Sequence, residues 1–364
     1  MAFDSEIGNL FVRVSADTSG LVSGMHTAAG AITTLSNSGA TAMQRIGAAG
    51  ALMSKTGGAI MKNFSVPLAA AATMSVKAAM NYETAFTKVR KTVKATDAEL
   101  NVLSDDIRSM AKEIPVSAAE LAELAGTGGQ LGIAVENIEE FTRVMADMGV
   151  ATNLAGEEGA SEMAKFVNIM GTSQKQFSNI GSSIVHLGNN MATTEADIMA
   201  MSLRLASTGN IVGMTEDEVL ACAAAMSSVG IEAEAGGTAM SRTWTDIHTA
   251  VVQGGKALQE YARISGKSAE EFSAQWKEDA AGAFVDLIRG LGQSENMLEE
   301  LSKIGVDEVR QKNMLQSLAK AEAQSGLLAK ALELSNTAWE ENVALTNEAE
   351  TAYSTTAIHR RLAF

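Results

Sequence analysis

The sequence predicts an all-α protein: a multi-helix core containing an internal duplication, flanked by long extended helices and preceded by one short N-terminal strand. Three observations lead there. Of 364 residues 46% are hydrophobic but only 4% aromatic, with Met 20 and Gly 32 filling the place of large rings. Small side chains and adaptable methionines suit close helix packing and give little support to a strand-rich fold. Pro 2 leaves long stretches free of helix breakers. Third, helix starts and stops are marked unusually clearly, by Ser or Thr with Glu three positions on, and by Gly followed by a β-branched residue.

Taken in chain order, residues 1–45 open on "LFVRVSAD", an alternating run fit for one strand, followed by a Gly- and Thr-rich stretch of weak helix propensity. Residues 46–95 are Gly/Ala/Met-rich; Pro67 is a suitable helix start, from which one long helix runs to about 93. Residues 96–292 form the helical core. Capping boxes occur there at Thr96–Glu99, Ser117–Glu120, Thr215–Glu218 and Ser268–Glu271, and stops at Gly132–Ile133, Gly149–Val150 and Gly230–Ile231, with a further stop at Gly305–Val306. Residues 293–352 have the periodicity of long solvent-facing helices, with a broken apolar stripe of Leu315, Leu318, Leu328, Leu332 and Leu345. Residues 353–364 drop that pattern and are read as an irregular tail. A chain this long exceeds what one core usually organises, so more than one unit is expected.

The core contains two similar halves, about 98–175 and 179–256. Sliding by 81 residues superimposes "ELAGTGGQLGI" (123–133) on "RLASTGNIVGM" (204–214). Leu124/Leu205, Ala125/Ala206, Thr127/Thr208, Gly128/Gly209, Gly132/Gly213, Met145/Met226 and Gly149/Gly230 are identical. The first stretch has the look of a phosphate-cradling loop. A phosphate loop follows a strand and carries GxGxxG or GxxxxGK[ST] spacing. Here the preceding "SAAELAELA" is helical, lysine is absent, and Gly126 and Gly129 become Ser207 and Asn210 in the second copy. What both copies keep is what a helix stop and a tight connection need, so these glycines are read as joints.

A formal net charge of −15 argues against specific nucleic-acid binding, which needs clustered Lys and Arg. The "KVRKTVK" run (88–94) has helical spacing and reads as a solvated face. Cys222 stands alone, excluding a disulfide framework, and the start "MAFDSEIGNL" lacks an export-signal layout. His26, His186, His248 and His359 show no metal-ligand spacing, and no GxSxG elbow is present. The acidic pairs Glu139–Glu140, Glu157–Glu158, Glu270–Glu271 and Glu299–Glu300 read as solvated helix faces. Trp244 and Trp276 read as core anchors, and Trp339 as a contact with another chain. No catalytic, cofactor-binding or metal-binding residue is assigned, and no enzyme activity. The apolar run "VPLAAAATMSV" (66–76) is shorter than the roughly 20 residues that span a bilayer; a buried helix is the first reading, and insertion of 46–80 into a membrane the alternative.

Several blocks carry a family likeness: "NYETAFTKVRKTV" (81–93), "LSDDIRSMAKEIPVSAAELAELAGTGGQLGI" (103–133), "HLGNNMATTEADI" (186–198) and "SSVGIEAEAGGTAMSR" (227–242). Together they resemble the core region of phage tail tape measure proteins, with "VSADTSGLVSGM" fitting the segment before it. The resemblance implies a largely helical structural protein, made in the bacterial host cytoplasm, that occupies the lumen of the virion tail, sets its length and leaves at genome delivery. It implies as partners other copies of itself, the tail tube protein, tail tip proteins and tail assembly chaperones, with transient host membrane contact. Family members usually continue well beyond this length, so the ending "AYSTTAIHRRLAF" is read as truncated, frame-shifted or from a prophage. Helical throughout, 364 residues would span at most about 550 Å.

Overall fold

The computed structural model describes residues 66–154 and 156–354, with side chains from 77 onward. Among them are sixteen helices and no strand, so the all-α expectation holds. The expected N-terminal strand, the weak helix after it and the irregular tail beyond 354 lie outside the described residues. Two compact units divide at Ala79/Met80, inside the first helix, α1 (Val66–Thr92). All that follows concerns the second unit.

Its first half comprises α2 (Asp97–Glu113), α3 (Ala118–Gln130), α4 (Val135–Ala151) and α5 (Gly156–Met170). The second half comprises α6 (Phe177–Asn190), α7 (Glu195–Val212), α8 (Glu216–Ser228) and α9 (Ala233–Gln253). The pairing is the same in both. In each half the second helix packs on the third and fourth, and the first helix on the second and third. The halves join where α5 lies on α7 and α4 on α6. Four short helices then follow: α10 (Lys256–Ile264), α11 (Ala269–Glu278), α12 (Ala280–Gln293) and α13 (Met297–Lys303). An aromatic ladder steps from Tyr261 to Phe272 to Trp276, with centroids 6.4 and 6.3 Å apart.

All four capping boxes form as the spacing requires, at Thr96, Ser117, Thr215 and Ser268. Each satisfies backbone N–H donors that a bare helix start leaves orphaned. The glycine stops form at Gly132, Gly230 and Gly305, with φ of 87°, 74° and 78°. In each case the next residue donates back across the last turn: Ile133 to Gly128 (3.0 Å), Ile231 to Met226 (3.2 Å) and Val306 to Leu301 (2.9 Å). Gly149 is a correction. It lies inside α4, which runs on to Ala151 and stops at Thr152.

The C-terminal helices also depart from expectation. Instead of standing out in solvent, α14 (Val309–Ser325), α15 (Leu327–Glu341) and α16 (Ala344–Tyr353) fold back onto the core. The stripe of leucines faces inward, with Leu315, Leu318, Leu328 and Leu345 buried. Two residues in the left-handed region make the turns, Gly326 (φ 62°) and Asn342 (φ 48°). Each breaks a pattern that periodicity alone would carry through as one helix. Helix α14 packs on α9 and α12, α15 on α6 and α8, and α16 on α4 and α6. The last two lie along α6 and strap one half to the other.

Candidate functional site

The stretch that looked like a phosphate loop is helical: Gly126, Gly128 and Gly129 sit inside α3, and among the described residues no strand precedes it. Their missing side chains are occupied by neighbours. A Cβ on Gly128 would stand 2.8 Å from Phe141 Cδ1, and one on Gly129 2.5 Å from Val93 Cγ2. In the second copy a Cβ on Gly209 would stand 2.5 Å from Val219 Cγ2. Val219 aligns with Ile138, which also touches the Gly128 position. Both glycines therefore let a second helix cross at close range. The stop geometry repeats as well: Gly132 and Gly213 share φ 87°, and Met214 N donates to Gly209 O at 2.9 Å as Ile133 N does to Gly128 O. The joint reading stands.

The nearest cation to this stretch is Lys88, which sequence reading placed on a solvated face. Its ammonium, half-buried, donates to Glu123 Oε2 (3.2 Å) and Thr127 Oγ1 (3.1 Å) and pairs with Glu157. Burial opposes the charge, but these acceptors outweigh it and raise the Lys88 pKa. One cation thus ties α1 to α3 and α5, and it has no position left for a phosphate.

Elsewhere the acidic pairs are exposed, as expected, apart from Glu300, which is held by Arg263 and Lys303. Among the described residues no group of His, Cys, Asp and Glu is arranged to hold a metal ion. His248 Nδ1 accepts from Trp276 Nε1 at 3.4 Å, while His26 and His359 lie outside the described residues. Trp244 and Trp276 are core anchors, 0% and 1% exposed. Trp339 is half-buried against the core of its own chain, and its backbone oxygen accepts from Asn179 Nδ2 at 2.8 Å. Burial pushes the Cys222 thiol up and leaves it inert.

What the sequence did not indicate is the seam under α15 and α16. Ser178 and Ser182 hydroxyls donate to Asn342 Oδ1 at 2.9 and 3.0 Å, and Ser183 to the Ser335 carbonyl at 3.2 Å. Ser335 in turn donates to Asp217 O at 2.7 Å. Tyr353 on α16 donates to the carboxylate of Asp147 on α4. The Ser-Gly pair at 325–326 was the available signal of a helix stop; nothing local marks the serines as a docking strip.

Residues 104–305, more than half the chain, match the family described as phage-related minor tail protein. The chain belongs to that family. The matched span opens within α2 and closes just after α13, so the minor tail family region takes in the first half from within α2 onward, the whole second half and the short helices after them. It ends before the strap begins. No curated protein and no solved structure matches the chain. Membership makes this a phage tail component, and among the described residues of this minor tail protein no helix is long and apolar enough to cross a membrane.

Proposed function

We propose that the chain is a tail tape measure protein, a structural scaffold that lies in the tail tube, determines its length and leaves ahead of the genome. Membership in the minor tail family carries the coarser part of this reading. The finer part rests on the resemblance of the sequence blocks given above and on the physics of the chain. A helix rises about 1.5 Å per residue, so sequence length converts directly into distance. Helix α1, at 27 residues, corresponds to roughly 40 Å. The net charge of −15 suits a protein that shares a tube with DNA without adhering to it. Its partners under this reading are other copies of itself, the tube and tip proteins, and the chaperones that hold it before assembly.

The test is an insertion at Ala79, where the two compact units divide. Thirty-six helix-forming residues complete about ten turns, preserve the facing of α1 on both sides and add roughly 54 Å. Phage carrying this insertion should have tails longer by that amount in electron micrographs. Tails of unchanged length would overturn the proposal. Co-flotation of the purified chain with anionic liposomes, together with unchanged tails, would favour the membrane reading of 46–80 instead.

A further inference from the structure

We propose that the cleft along α6 is a docking groove for the α15–α16 arm of a second copy of this chain, and that copies exchange arms by straightening at Gly326. The inference stands independently of the tail-length role.

The joint is a single residue. Helix α14 ends at Ser325 and α15 begins at Leu327, with Gly326 between them at φ 62°. Rotating that one glycine into the right-handed region continues α14 into α15 as one helix from Val309 to Glu341, roughly 50 Å long.

Both forms satisfy their backbone. In the bent form the buried Glu322 carboxylate accepts from Leu328 N (2.8 Å) and Ala329 N (3.3 Å), and pairs with Arg289 at 3.0 Å. In the straight form those two N–H groups bond to carbonyls four residues earlier, as in any helix. Glu322 is therefore the latch of the bend, and releasing it leaves no orphaned donor. Such an element has two discrete arrangements rather than a continuous range.

The groove is cut for this arm. A Cβ on Gly181 would stand 2.8 Å from Leu345 Cδ2, so α6 gives up a side chain where that leucine seats. Around it the seam consists of directional bonds from Ser178, Asn179, Ser182 and Ser183 to the arm. The fully buried face of α15 is Leu328, Ala331, Ser335 and Ala338, with only one large side chain among the four. Leu345 and the half-buried Leu332, Leu334 and Trp339 add apolar contacts, and the whole interface is re-formed bond for bond when an identical arm arrives from another copy. Exchange therefore loses only the contacts at the bend itself, among them those of Glu322 with Leu328 and Ala329, and the balance between the closed and the exchanged form is set by that bend and by concentration.

The test uses full-length chains bearing single introduced thiols at an exposed and a half-buried position that meet across the seam, where Asn189 Nδ2 donates to Glu348 Oε2 at 3.2 Å. Chains carrying Asn189→Cys are mixed with chains carrying Glu348→Cys, equilibrated, and bridged with a short bismaleimide; the native Cys222 is buried and does not react. Neither chain alone can bridge this pair, so a linked species of twice the mass reports an arm docked in trans. Adding Gly326→Ala, which disfavours the left-handed bend, should raise its yield roughly fivefold or more. Glu322→Gln, which weakens the latch, should raise it in the same direction, and it decides the matter if Gly326→Ala loses its helical circular dichroism. No linked dimer above the level of a control pair, Asn189→Cys with Lys256→Cys, in the parent and in both variants, overturns the proposal.

Discussion

The two halves of the core share a spacing but not every joint, and the place where they differ shows what makes a glycine stop a helix. At Gly132 and Gly213 both halves turn with the same φ. At the next aligned pair, Gly230 turns and Gly149 does not. Helix α4 runs 17 residues where α8 runs 13, and α9 in compensation starts four positions earlier, by the 81-residue shift, than α5 does. One helical turn has moved across the joint without altering the spacing. Ile231, after Gly230, folds back onto Gly236, where a Cβ would stand 2.1 Å from its Cγ2. The residue aligned with Gly236 is Ala155, which carries a side chain where Gly236 has none. The stop at Gly230 thus uses two vacancies, one for its left-handed backbone and one at Gly236 for the residue that follows.

The largest effect that would test this likeness is at the shared helix crossing. Gly209→Ala drives a methyl group against Val219, a stiff β-branched side chain, and should cost about 2–3 kcal/mol in urea unfolding. Val219→Ala in the same chain should recover at least about 1 kcal/mol of that; strictly additive losses would mean the glycine does not set the crossing. The unlike pair comes next. Gly230→Ala should destabilise by about 1–2 kcal/mol because its backbone is left-handed. Gly149→Ala removes a glycine from a helix interior and should stabilise by about 0.5–1 kcal/mol. Equal signs would contradict the different joints.

A smaller contrast concerns the starts of α4 and α8. Thr215 caps α8 locally, whereas the aligned Ala134 has no capping side chain and its N–H goes to Gln174 Oε1 at 2.9 Å. Thr215→Ala should cost about 1 kcal/mol, and Gln174→Ala about 0.5–1.5 kcal/mol as a lost long-range hydrogen bond.

The smallest effect is in the strap. Burial, only partly offset by Tyr353 and Arg143, raises the Asp147 carboxyl above its ordinary 3.8. A raised carboxyl favours the folded state at pH below the ordinary value, and that contribution is lost as pH rises through the folded value. Asp147→Asn cannot ionise and keeps an acceptor for Tyr353. It should melt higher than the parent at pH 7, with the gap closing below pH 3.8. An identical Tm at pH 7 would remove the seam's electrostatic cost.

The legible parts of the fold were those decided within one turn of helix. A capping box needs only a hydroxyl and a carboxylate three residues apart, and all four formed. The duplication was legible because Gly128, Gly132, Gly209 and Gly213 are required by contacts that occur twice. The strap was not. Leu315 to Leu345 have the spacing of an amphipathic helix whichever surface they meet, and the partners of Ser335 and Asn342 lie more than a hundred residues away in sequence. The half-burial of Trp339 was hidden for the same reason, and the role of Lys88 because a surface charge and an inter-helix tie have the same local sequence.

Helix α1 enters the core along a line of contacts rather than at a point. Tyr82, Phe86, Val89 and Val93 are buried on successive turns, Tyr82 bonds to Ser104 (2.9 Å), and Lys88 holds α3 and α5. A pull along the axis of α1 therefore strains these attachments simultaneously, in shear, instead of peeling them one after another. Mechanical load arriving down that helix is shared by the whole row, and the core would resist being dragged apart far better than it would resist α1 being levered sideways.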